Sequence, residues 1–175
     1  FYYKNKMTVN DEQNLPLRAV CFNSEGDKLA ASFQGTVLVW NAESMRTKVF
    51  TFDETLDDNC YASTIEYSPD SSRFIVCGGS IWQDSRFLKI LDSNDGSLVF
   101  DLKGHENTVN SASFSKDGKR IISCSQDGKF KIWDSVTYRE MMTARLNKEA
   151  IFSAVYGPNN NRVFLQQVGS LRVLE

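Results

Sequence analysis

The sequence predicts an all-β fold of four-stranded antiparallel units, on three observations: a strand ending that recurs, a hairpin phrase ahead of each ending, and no amphipathic segment of helix length. The endings are TVLVWN (Thr36 to Asn41), FLKILD (Phe87 to Asp92), FKIWD (Phe130 to Asp134) and LRVLE (Leu171 to Glu175). Taking Trp40, Leu91, Trp133 and Leu174 as equivalent gives spacings of 51, 42 and 41 residues. A repeated four-stranded unit has a period of about 40–45 residues.

The hairpin phrases are CFNSEGDKLAAS, EYSPDSSRFIVCG, SFSKDGKRIISCS and VYGPNNNRVFLQQ, starting at Cys21, Glu66, Ser113 and Val155. In each, an aromatic residue precedes a polar turn and then an apolar run. The turn letters EGD, PDS, KDG and PNN bring the Gly, Pro, Asp and Asn that tight turns accept. In the third unit, strand a is predicted near Val109 to Ser115, b near Arg120 to Ser125, c near Lys129 to Trp133 and d near Glu140 to Ala144. The pairs Ala112, Phe114 and Lys129, Lys131 show the two-residue period of a strand. The whole chain, 1–175, reads as a single segment with repeats at about 15–52, 61–102, 103–146 and 147–175. Residues 1–14 are left as a closing strand or a strand of a preceding unit.

Twenty basic and twenty-two acidic residues give a formal charge of −2 and a pI near 5.5. No global field is expected to hold nucleic acid or an anionic membrane. No apolar run approaches the roughly twenty residues that span a bilayer, and FYYKNKMTVN has no signal-peptide pattern, so no membrane insertion is expected. Cys21, Cys60, Cys77 and Cys124 form no C-x-x-C pair and share one histidine, so no metal site is expected. Three of them lie in the apolar runs RAVCF, FIVCGG and IISCS, which suits reduced thiols of an intracellular protein, cytoplasmic or nuclear.

Gly104-His105, the turn Ser125-Gln126-Asp127-Gly128 and the ending Trp133-Asp134 together resemble the WD-repeat β-propeller family. The signature is complete in the third unit only. The first keeps Trp40-Asn41 but shortens its b–c turn to Gln34-Gly35, the second has Leu91 for Trp, and the fourth keeps the hairpin pattern and Leu174. The period carries the resemblance from about Leu15 to Glu175. It implies blades of a propeller, about four in this chain, where most members close a ring of about seven within a range of about 4–8. A segment of a larger propeller is favoured over a closed four-blade ring, and that over a dimer completing eight blades. A partial ring leaves an apolar flank and is expected to associate.

The resemblance also implies a structural hydrogen-bond network of His105, Ser123, Asp127 and Trp133, in which the histidine reaches from the d–a loop to the b–c turn. Buried polar groups of this kind must be paired, each unsatisfied one costing about 1–3 kcal/mol. Ser, His and Asp are also the letters of a hydrolase triad, but no Gly-x-Ser-x-Gly elbow accompanies them. Gly78-Gly79 lacks the Gly-Lys-Ser/Thr of a phosphate loop. No catalytic residue and no cofactor are expected.

Binding is then left to loops. The second unit is the longest, and its extra residues fall in Thr51 to Cys60 and in a b–c turn taken as Gly78 to Phe87. In a meander both connections leave the same edge of the sheet. The resemblance makes that the top face, used for partner recognition. The partner-binding candidates are Trp82 and Ile81 with Asp53, Glu54, Asp57 and Asp58: an aromatic anchor beside acids suits a basic peptide or protein segment. The expected function is a non-enzymatic scaffold for a protein or peptide partner within a multisubunit complex. The alternatives are a propeller-based hydrolase using Asp57, Asp58 and Asp84, and a nucleic-acid or lipid binder, which would need a basic face. Lys28, Arg73, Lys119 and Arg120 sit near the opposite edge and read as a solvated stripe.

Overall fold

The computed structural model describes residues 18–33, 35–44, 46–52, 60–80 and 85–175. Among them are fifteen strands in four antiparallel sheets. The first sheet holds β1 (Ala19–Phe22), β2 (Lys28–Phe33), β3 (Thr36–Asn41) and β4 (Thr47–Thr51). The second holds β5 (Tyr61–Tyr67), β6 (Arg73–Gly79), β7 (Arg86–Asp92) and β8 (Leu98–Asp101). The third holds β9 (Val109–Phe114), β10 (Arg120–Ser125), β11 (Lys129–Asp134) and β12 (Glu140–Arg145), and the fourth β13 (Ile151–Tyr156), β14 (Val163–Gln167) and β15 (Ser170–Leu174). In every sheet the strands pair in chain order, so each is a simple meander. The four expected strands of the third unit agree with β9–β12 to within a residue at either end.

Turn chemistry fixes the hairpins. At Gly26, Ser71, Gly118 and Asn160 the backbone has φ of 74°, 59°, 70° and 57°, and each amide donates to the carbonyl three residues earlier. Glycine meets this left-handed demand without strain and asparagine tolerates it. Ser71 is held there by its side chain, which lies 2.7 Å from Ser24 Oγ and donates to Glu25. The polar letter closing each of the first three units acts in the next turn. Asn41, Asp92 and Asp134 each accept a backbone amide two residues ahead through the side-chain oxygen. This is the Asx turn that lets strand c reverse into strand d.

The sheets stack face to face, with strands β1, β5, β9 and β13 in contact from one sheet to the next. Three cores lie between them. Ala30, Val37 and Val39 of the first sheet pack on Ile65, Tyr67, Phe74, Val76 and Leu91 of the second. Ile75, Cys77, Leu88 and Ile90 turn the other way, onto Ala112, Phe114, Ile121 and Trp133. Ile122, Cys124 and Phe130 then meet Ile151, Ala154, Val163 and Leu165. The runs FIVC and IISC are therefore continuous for a physical reason: successive residues point to opposite faces, and both faces of these sheets are buried. At the two ends of the stack the outward faces carry exposed apolar residues, Val20 and Phe22 on one and Phe152, Val155, Leu171 and Val173 on the other. All four cysteines are free, with Cys60, Cys77 and Cys124 buried and Cys21 less so. Burial pushes the thiols of Cys21 and Cys77 up to about 12, which makes them poor nucleophiles.

Two sequence expectations change in the folded protein. The long b–c turn is narrower than Gly78 to Phe87, because Gly78 pairs with Phe87 and Gly79 with Arg86 in the ladder. A Cβ at Gly78 would fall on the Tyr61 carbonyl oxygen and the Phe87 ring, so this glycine serves close strand approach. Lys131 on β11 does not face water. It is 5% exposed, with Nζ 2.7 Å from both Glu140 Oε2 and Thr143 Oγ1. Nor is Arg73 part of a solvated stripe: its Nη1 donates to the Ser135 carbonyl at 2.9 Å and to Tyr138 Oη at 2.8 Å, linking the second sheet to the third. Arg73→Ala should therefore cost about 1–2 kcal/mol in chemical denaturation, whereas Lys119→Ala should stay within about 0.5 kcal/mol.

Candidate functional site

Two structures meet at the edge that carries the d–a and b–c connections: a buried polar network and the anchors of the two long loops. The network lies in the third sheet and its d–a loop. Trp133 Nε1 on β11 donates to Ser123 Oγ on β10 at 2.9 Å, and Ser123 Oγ lies 2.8 Å from His105 Nε2. His105 Nδ1 is 3.1 Å from Asp127 Oδ2. Proton directions follow from the ends. An indole can only donate and a carboxylate can only accept, so Ser123 passes its proton to Nε2 and the imidazole carries its own on Nδ1. Asp127 also accepts the amides of Glu106 (2.8 Å) and Lys129 (2.8 Å). Burial by itself would raise its pKa; the hydrogen bonds from His105 and the two amides outweigh that and hold the carboxyl at about 2.

These four residues are thus brought together, with the His105 and Asp127 side chains 2% and 4% exposed and Ser123 fully buried. The order Asp–His–Ser is that of an acyl-transfer triad, but the serine oxygen is enclosed and already accepts the Trp133 proton. No substrate carbonyl can reach it, and its hydrogen bonds instead link β10 and β11 to the d–a loop and the b–c turn.

Residues 53–59 and 81–84 are outside the described residues. Asp53, Glu54, Asp57, Asp58, Ile81 and Trp82, the candidates for partner contact, all fall there, as does Asp84 of the hydrolase alternative. What bounds them is described. Phe52 packs on Phe87 with ring centroids 5.6 Å apart, and Cys60 Sγ lies 3.0 Å from Ser85 Oγ. The ends of the two loops are therefore adjacent. Ser80 donates its amide to the Ser85 carbonyl at 2.8 Å, and its own carbonyl accepts Thr108 Oγ1 at 3.2 Å. Arg86 Nε donates to the His105 carbonyl at 2.7 Å, so the loop base is tied to the residue that organises the network.

Sequence reasoning missed Arg86, Lys131 and Glu66 as organising residues. Glu66 on β5 is largely buried and its Oε1 accepts the Phe114 amide of the neighbouring sheet at 2.9 Å. Burial raises its carboxyl to about 7, against the smaller lowering effect of that amide. A charged residue opening an aromatic-turn phrase was the available signal, but its direction depends on the facing sheet.

Comparison with known proteins agrees with this geometry. The family model described as "WD domain, G-beta repeat" matches residues 6–41 and 96–134. Over 134 residues the chain is 28% identical to "WD repeat-containing protein 89 homolog" of Dictyostelium discoideum, covering 77% of this chain and 34% of that protein. It is 35% identical over 94 residues to "Intraflagellar transport protein 122 homolog" of Homo sapiens, 54% of this chain and 7% of the other. It is 28% identical over 120 residues to "Transcription initiation factor TFIID subunit 5" of Caenorhabditis elegans, 69% of this chain and 17% of the other. The chain spans about a third or less of the length of these relatives. With two segments matched by the family model and four meander sheets stacked through their apolar faces, the chain carries WD repeats in the sheet arrangement of a β-propeller.

Proposed function

We propose that this chain is a non-enzymatic interaction scaffold that presents the loops around 51–60 and 78–87 to a protein or peptide segment, as part of a multisubunit assembly inside the cell. The observation that carries this reading is the burial of the Ser123–His105–Asp127 series: the groups most able to do chemistry are spent on holding strands, which leaves surface display as the function. Similar proteins include one whose name makes it a transport protein and one whose name makes it a subunit of a transcription initiation factor, and both kinds of task use assembly. The division into repeats at 15–52, 61–102, 103–146 and 147–175 belongs to the same proposal, as does association through the apolar flanks. No helix among the described residues is long and apolar enough to cross a membrane.

Trp82 is the anchor in this reading and the acids at 53, 54, 57 and 58 steer a basic segment toward it. Trp82→Ala is expected to weaken partner capture from lysate by about tenfold or more while shifting the thermal midpoint by less than about 2 °C. Capture unchanged by this variant and by neutralising the four acids together would refute the assignment. So would a large fall in the midpoint, because it would place the indole in the core.

A further inference from the structure

On the opposite edge, where the a–b and c–d turns lie, a cleft of about 260 Å³ opens between the first and second sheets. Its walls include Lys28, Arg46 and Lys48 from the first sheet and its c–d turn, Val39 beneath them, and Ser93 and Asn94 from the facing turn. No acid lines it. Among the described residues neither Lys28 nor Arg46 forms an ion pair, and Lys48 Nζ donates only to the Asn94 carbonyl, at 3.1 Å. Asp27, Asp92 and Asp95, near the cleft in sequence, accept hydrogen bonds within their own turns, and the exposed Asp95 also interacts through its charge with Lys48. Asp27 accepts Asn23 Nδ2 at 2.6 Å, Asp92 the Asn94 amide at 2.8 Å and Asp95 the Ser97 amide at 2.9 Å. Three cations therefore line a concave site whose walls carry no acid.

We propose that this cleft binds a phosphate monoester, carried on a phosphoserine or phosphothreonine of a partner peptide. A carboxylate would bring one negative charge to three positive ones; a phosphomonoester brings about 1.5 to 2 and three acceptor oxygens for ammonium and guanidinium donors. The volume is below the roughly 300–1,000 Å³ of sites for whole small-molecule ligands and suits one modified side chain. A phospholipid surface fits less well. Glu25, Glu43 and Asp95 stand exposed on the same turns and would repel a flat anionic bilayer, while a phosphate at the end of a side chain reaches past them. This site is on the other edge from Trp82 and does not depend on the loop assignment.

The test is binding of the full chain to a degenerate peptide pool with a central phosphoserine, against the unphosphorylated pool, inorganic phosphate, and phosphatidylcholine vesicles containing a phosphoinositide. The phosphorylated pool should bind about tenfold or more tightly than its unmodified counterpart, with inorganic phosphate competing and added salt weakening the complex. Arg46→Ala combined with Lys48→Ala should remove that advantage without moving the thermal midpoint, since both residues are exposed, and Trp82→Ala should leave it intact. Equal binding of the two pools, an advantage that survives the double variant, or vesicle binding lost in the double variant without any phosphopeptide preference would each overturn the proposal.

Discussion

Asp127→Ala is expected to lower the unfolding free energy by about 3 kcal/mol. The side chain accepts from His105 and from the amides of Glu106 and Lys129, so its removal leaves a buried imidazole and two backbone donors without their acceptor. His105→Ala should cost about 2–3 kcal/mol, because Ser123 and Asp127 lose the group between them. The double variant should cost clearly less than the sum of the two, with a coupling of about 1–2 kcal/mol. Acid titration supplies a further readout. The folded pKa of Asp127 lies below the ordinary carboxyl value of 3.8, so its contribution is present above that value and lost as pH falls toward about 2. Denaturant midpoints for the four proteins at neutral pH would check this. A loss under about 0.5 kcal/mol for Asp127→Ala, or strict additivity, would show that the network is not what registers these strands.

Glu66 gives the second large effect, of opposite sign. Its carboxyl accepts the Phe114 amide of the third sheet and interacts with the Cys21 and Cys77 thiols, and burial raises it to about 7 from an ordinary 4.5. The folded protein thus holds this proton more tightly than the unfolded chain. The stabilisation is fully present below the ordinary carboxyl value and disappears as pH rises through about 7. Between about pH 5 and pH 8 the protein should lose about 2–3 kcal/mol to this group. Glu66→Gln keeps an acceptor for the Phe114 amide and removes the charge, so it should be near neutral at pH 5 and clearly stabilising at pH 8. Parallel pH profiles for the two proteins would mean that water reaches the carboxylate and that it is ionised in the fold throughout.

Much of the architecture was legible in the chain because it depends on local rules. The four turns with Gly26, Ser71, Gly118 and Asn160 at the left-handed position announce themselves as polar clusters between apolar runs, and Asn41, Asp92 and Asp134 mark the next reversal. The network is legible in one repeat, where the letters of His105, Asp127 and Trp133 stand together. The direction of Lys131 was not, since a strand with both faces buried breaks the rule that alternate polar residues face water. Arg73 was misread for a related reason: its partners, Ser135 and Tyr138, lie more than sixty residues away.

The sequence by itself determined the strands, their order within each sheet and the repeat, because hairpin register comes from turn residues and two-residue alternation, both local. Only the tertiary structure decided which charged groups are buried, which loop ends are neighbours and where three cations line one cleft. Those properties arise between sheets, where residues forty or more positions apart set each other's solvation, and a periodic sequence carries no local mark of them.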